Sequence, residues 1–189
     1  KLVDDGWIGK PIAGTAFFMS RGPEHWHPSP DFFYDVGGGP MLDMGPYFIT
    51  ALVNYLGPIK RIIGIASKSF SERTATSQEH FGKKIPVKVP TLNMGVLEFS
   101  SGALITICIS FDVHAHKHSA IELYGTEGSL FIPSHGELGG EIKIFRPETT
   151  DWKTVPFTHH HHYYNGECTR IIGAAEMAEA INSGRPHRC

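Results

Sequence analysis

The sequence predicts an α+β fold: one open, mostly antiparallel β-sheet with helices on one face. Two observations carry this expectation. Short β-prone runs with few helix signals fill the chain from about Lys60 to Phe157, and a helical pattern flanks them on each side. At 189 residues with 41% apolar side chains the chain can bury one full core, so a single domain is expected.

The elements follow in order. Lys1 to Gly9 reads as the tail of a helix running into a turn, so the sequence is expected to begin within a longer protein. Pro11 to Met19 is a strand, and Arg21 to Asp35 an aromatic and proline-rich loop. Gly37-Gly38-Gly39-Pro40 opens a helix that Gly57-Pro58 ends. Met41, Met44, Phe48, Leu52 and Tyr55 recur at helical spacing as its buried stripe, and Pro46 places the start of regular helix close to Asp43. The strands then read as Arg61 to Phe70, Thr91 to Phe99, Ala103 to Phe111, Ala120 to Tyr124, Ser129 to Ile132 and Glu141 to Phe145, paired as an antiparallel meander. Ser100-Ser101-Gly102 makes a hairpin turn, and Ser71 to Pro90 reads as a long polar loop. A final amphipathic helix from about Glu167 to Ser183 should turn Ile171, Ala174, Ala175, Ala178 and Ile181 inward. Partly alternating strands leave one sheet face available to a partner.

Composition excludes several functions. Seventeen Lys and Arg against nineteen Asp and Glu give a net charge of -2, which offers no basic field for nucleic acid. No run approaches the roughly 18 apolar residues of a spanning helix, so no membrane partner is expected. Cys108, Cys168 and Cys189 are an odd set without metal spacing, which points to a reducing, cytoplasmic setting.

Asp43, Tyr47, Thr50 and Asn54 stand at i, i+4, i+7 and i+11 and form one polar edge of the first helix. A carboxylate and a phenol one turn apart, beside a glycine run that lets a ligand approach the backbone, can hold a hydroxyl and relay its proton. The alternative is that Asp43 caps the helix and Tyr47 is half-buried. Trp26 and His27 are candidates for the wall of a pocket, the indole stacking on sugar C–H faces and the imidazole bonding hydroxyls; otherwise Trp26 pins a surface loop into the core. His114, His116 and His118 alternate, and on a strand would share one face, a geometry open to a metal centre; a solvent-facing strand end is the simpler account. His159 to His162 read as a polar loop, with Tyr163 at the pocket's border. Gly125 to Ser129 is a turn between strands, and Cys108 is core.

Gly37-Gly38-Gly39-Pro40-Met41-Leu42-Asp43-Met44-Gly45-Pro46-Tyr47 resembles the GGGxLxDxGxH helix of the glucose-fructose oxidoreductase and inositol dehydrogenase family. The similarity extends through Leu56-Gly57-Pro58, Phe99 to Ala103, Ile121 to Leu130 and Ser183 to Arg188. It implies the C-terminal, substrate-binding domain of a two-domain dehydrogenase, with an N-terminal Rossmann domain holding NAD or NADP. The family's Glu-Lys-Pro lysine and a G-x-G-x-x-G fingerprint are both missing from this sequence, so both are expected upstream. By the resemblance, Asp43 orients and polarises the reacting hydroxyl. Position 47 departs from the pattern, since Tyr47 replaces the usual histidine, and a phenol is a weaker base near neutrality than an imidazole.

The resemblance implies hydride transfer between NAD(P) and a hydroxyl of a sugar, sugar derivative or cyclitol, and a homo-oligomer built through the open sheet. This length of chain alone is expected to be inactive. The competing reading is a non-catalytic ligand-sensing or assembly domain of the same fold, for which Tyr47 is the best argument; a histidine-dependent metal module is the third.

Overall fold

The computed structural model describes residues 1–134, 140–156 and 172–187. Strand β1 (Pro11–Met19) is followed by a loop with two short 3-10 turns, then by helices α1 (Pro40–Asp43) and α2 (Gly45–Leu56). After β2 (Ile59–Ser67) come the short strands β3 (Glu72–Thr74) and β4 (Lys84–Pro86), then β5 (Leu92–Phe99) and β6 (Leu104–Ser110). Strands β7 (Ile121–Gly125), β8 (Ser129–Ile132), β9 (Lys143–Phe145) and β10 (Lys153–Thr154) lead to helix α3 (Ile172–Ser183).

Eight strands make one open sheet in the order β10-β9-β8-β7-β1-β6-β5-β2. Neighbours pair antiparallel except β1 and β6, which run parallel with Thr15 opposite Thr106. This corrects the meander: β6 and β7 follow each other in sequence but are separated in space by β1. An alternating pattern fixes which face a strand buries, not which strand lies beside it.

Helix α2 covers one face. Phe48, Leu52 and Leu56 pack there against Leu97 and Phe99 of β5 and Ile105, Ile107 and Ile109 of β6. Met41, Met44 and Tyr55 complete the expected stripe as partly buried contacts. Met94, Val96 and Leu104, offset by one residue, are exposed on the other face, as a period of two requires. Cys108 is buried, as expected.

Two further expectations fail. Residues 71–90 are not a plain loop: β3 and β4 form a hairpin with Arg73 opposite Ile85. Each strand is three residues long, too short for alternation to stand out against polar flanks. In α3 the residues expected inward, Ala174, Ala175, Ala178 and Ile181, are exposed, while Ala180 is buried. The chain after the helix folds back on that side, with the Arg185 N–H donating to the Ala180 carbonyl at 3.1 Å and its guanidinium meeting Glu176 at 2.6 Å. Ile171 and the expected start at Glu167 lie outside the described residues.

Leu52 is 0% exposed at the centre of the helix-sheet contact. Leu52→Ala should cost about 2–5 kcal/mol, read as a lower urea midpoint at unchanged m-value. A loss below about 1 kcal/mol would mean that the α2-sheet contact does not carry the core.

Candidate active site

The loop from Ser20 to Gly39, which delivers the chain to α1, is held by a buried ionic knot. Glu24 is 2% exposed and takes the Arg73 guanidinium at 2.7 Å and the Tyr34 hydroxyl. Arg73 reaches Asp112 at 3.3 Å and donates to the carbonyls of Arg21 and Phe111. Asp112 in turn accepts from Thr91 Oγ1 at 2.6 Å. Each buried charge is thus paired and hydrogen-bonded, the condition under which burial is tolerated. Burial first, then the Glu24 bond, pushes the Tyr34 phenol well above its ordinary range. Gly22 sits over the knot at φ 99°, where any side chain would collide with Glu24 and Tyr34.

Trp26 and His27 project from this loop. Trp26 is 67% exposed, so it does not pin the loop into the core. Its ring lies edge-on to His27 at 5.2 Å, and His27 packs on Phe32 and Phe33 at 5.3 and 5.1 Å. His27 Nδ1 accepts the Ser29 N–H at 2.9 Å, which requires the tautomer that carries its proton on Nε2. Phe33 belongs to a second cluster with Tyr34, Ala75, Ile85, Val87 and Phe111, against which Met44 packs. The pocket-wall candidates are therefore coupled through one packed cluster to the residue after Asp43.

The helical lead-in is broken where Pro46 demands it, because a proline cannot donate to the preceding turn and its ring clashes with that turn's carbonyl. Helix α1 ends at Asp43, Met44 takes the N-cap position of α2, and α2 begins at Gly45. Asp43 therefore does not occupy the N-cap. Asp43, Tyr47, Thr50 and Asn54 are all exposed, Tyr47 by 55%, so the polar edge exists as expected. Gly38 allows the lead-in to close, since a side chain there would strike the Phe32 and Phe33 carbonyls.

Tyr47 lines a small cavity of 80 Å³ with Tyr55, Ile132 and Pro133. Pro133 also borders a larger cavity of 410 Å³ at the end of β1, lined by Phe17, His116 and His118. The two histidines are not on a strand: residues 111–120 form an irregular connection, which corrects the expectation of a shared strand face. Among the described residues no group of three or more His, Cys, Asp or Glu is placed to hold a metal ion. The remaining candidate, Tyr163, lies outside the described residues, as do His159 to His162. Sequence reasoning missed the knot altogether, because Arg73 and its partners are 38 to 52 residues apart. No helix among the described residues is long and apolar enough to cross a membrane.

A sequence model of the GFO/IDH/MocA C-terminal domain matches residues 1–131. Among solved structures, levoglucosan dehydrogenase in complex with NADH and L-sorbose matches with a TM-score of 0.73 at 20% identity, over 97% of this chain and 52% of that one. An NAD binding oxidoreductase from Klebsiella pneumoniae matches with a TM-score of 0.74 at 18% identity, over 99% and 54%. Aldose-aldose oxidoreductase from Caulobacter crescentus complexed with glycerol matches at 0.64 and 19%, over 99% and 50%. The chain thus spans about half the length of these structures, and at such identities the likeness is one of fold. No curated protein matches the chain.

Because folding holds the Tyr34 phenol protonated above its ordinary range, its contribution to stability is whole below about pH 10 and is lost as pH rises further. The unfolded chain releases that proton first, so stability should fall by up to about 1.4 kcal/mol per pH unit for this group. Urea unfolding between roughly pH 8 and 11 should show Tyr34→Phe less stable but with a flatter alkaline slope by about one proton. An unchanged slope would remove Tyr34 from the titration.

Proposed function

Since the chain belongs to the GFO/IDH/MocA family, we propose that it is the substrate-binding domain of an oxidoreductase exchanging hydride between NAD or NADP and a hydroxyl of a sugar, sugar derivative or cyclitol. The observation that carries the reading is the exposed Asp43–Tyr47 edge, which follows a glycine lead-in and whose Tyr47 lines the small cavity beside Pro133.

The glycine run does not fit a dinucleotide's phosphates. The amides of the glycine run are already committed, Gly38 to the Asp35 carbonyl at 2.9 Å and Gly39 to that of Phe33 at 2.7 Å, so they form no phosphate cradle. In this reading the nicotinamide is held mainly by a Rossmann domain outside these residues, and this length of chain alone turns nothing over. What the chain contributes is the other wall. Asp43 accepts a hydrogen bond from the reacting hydroxyl and fixes its orientation, while Tyr47, one turn on, relays the proton. Trp26 offers an apolar face to the ring of the substrate, and His27, with its proton on Nε2, donates to a hydroxyl. Cysteine usage supports a cytoplasmic setting.

Asp43→Asn in the full-length protein should lower kcat by about 10²–10⁴-fold while dinucleotide affinity, followed by NAD(P)H fluorescence titration, stays within about twofold. Equal turnover would take Asp43 out of the mechanism and favour the ligand-sensing or assembly reading.

The open face supports a homo-oligomer. Ile63 and Ile65 of β2, Met94 and Val96 of β5 and Leu104 of β6 share it, and Ile65 is 75% exposed. An apolar patch of this kind on an edge strand calls for a cover, and a second copy is the economical one. Ile65→Lys should shift the mass measured by light scattering toward the monomer, and an unchanged mass would move the interface elsewhere.

A further inference from the structure

Because β1 lies between β6 and β7, the connection joining those two strands has to step over the end of β1. Both ends of the connection are fastened to that strand, the Val113 N–H donating to the Ser20 carbonyl at 3.0 Å and the Phe17 N–H to that of Ala120 at 2.8 Å. The stretch between them carries His116, Lys117 and His118, and the step leaves the 410 Å³ cavity beneath it. His118 packs on Phe17 with ring centroids 4.7 Å apart, and His116 stacks on His118 at 6.2 Å and 22°.

The lining has an unusual chemical balance. Among the described residues its titratable side chains are two imidazoles and one amine, and none is a carboxylate. The nearest acid in the sequence, Glu122, has both oxygens engaged, taking the Ser119 hydroxyl at 2.6 Å and the Tyr124 hydroxyl at 2.8 Å. A neutral sugar brings many O–H donors and needs acceptors such as carboxylates around it. A pocket lined by nitrogen donors, with no carboxylate among its described residues, suits a ligand that brings its own negative oxygens.

We infer that this cavity takes an anionic oxygen group carried by the substrate, a carboxylate or a phosphate on the polyol, with Lys117, His116 and His118 as its donors. The inference deepens the reading of Asp43 and Tyr47 as the place of reaction and rests on it. Pro133 lines both this cavity and that of Tyr47, and Phe18 of the one packs on Phe48 of the other with ring centroids 6.3 Å apart. An anion seated here would leave the rest of the polyol to run toward Tyr47.

Isothermal titration calorimetry on the full-length protein tests this with glucose, gluconate and glucose 6-phosphate. Wild type is compared with Lys117→Glu, with the combined His116→Gln, Lys117→Met, His118→Gln variant, and with Asp43→Asn. At least one anion should bind about tenfold or more tightly than glucose, and which one does separates carboxylate from phosphate. Both cavity variants should lose that margin, while Asp43→Asn keeps it. Lys117→Glu leaves the packed rings untouched, so it carries the test if the triple variant fails to fold. Anions binding no better than glucose, or a margin that survives Lys117→Glu, would overturn the inference. A margin lost in the cavity variants without NAD(P)-dependent turnover of any probe would support the anion site and count against the oxidoreductase reading alone.

Discussion

The buried Arg73 guanidinium is the interaction on which the functional side of the molecule depends. It joins by charge three pieces of chain that also share the Phe33–Phe111 apolar cluster: the Gly22–Tyr34 loop through Glu24, the β3–β4 hairpin that carries Arg73 itself, and the end of β6 through Asp112. Two exposed ion pairs, Lys83–Asp31 and Lys88–Asp35, tie the hairpin region to the same loop, but exposed pairs contribute little. Removing Arg73 would strand two carboxylates away from water, and a group left uncompensated costs far more than the intact pair contributes. The loop that presents Trp26 and His27 is thus held by charge as well as by its aromatic packing on Phe33.

The second constraint is topological. Inserting β1 in parallel beside β6 forces the β6–β7 connection across the strand end, and any side chains on that connection come to overhang the end of β1. Open sheets place crevices where neighbouring strands are not sequence neighbours, the same logic that sets binding sites at the switch points of doubly wound folds. The histidines at 116 and 118 line a cavity for this reason, and their alternation is incidental to it.

Much of this was legible in the sequence. The helix after the triple glycine, its polar edge and the strands from Thr91 to Ile132 were readable because each depends on local period and turn chemistry, and β1 and β8 fall at the expected residues. Pro46 placed the start of regular helix close to Asp43, and α2 begins two residues on, at Gly45, while the separate turn of α1 before it was not foreseen. The placement of β1, the hairpin at 72–86 and the Arg73 knot depend on partners tens of residues away, and a polar stretch such as Ser71 to Pro90 does not reveal that one of its arginines is buried. The α3 stripe misled for a related reason: helical period identifies an apolar face without saying what covers it.

The same register that builds the core also separates the two uses of the sheet. One row crosses all eight strands on the face away from α2: Ile63, Val96, Thr106, Thr15, Glu122, Phe131, Lys143 and Thr154. It is apolar at the β2 end, hydroxylic at the centre and ionisable toward β9. Arg61 and Lys60, paired to Glu98 at 2.7 and 3.0 Å, bound the isoleucine run on one side and blunt an edge that would otherwise invite unspecific pairing. Asp43 and Tyr47 belong to the helices on the opposite face. A second copy can therefore cover the apolar end of the row without burying the edge proposed for chemistry, and both uses follow from strands whose side chains alternate with a period of two.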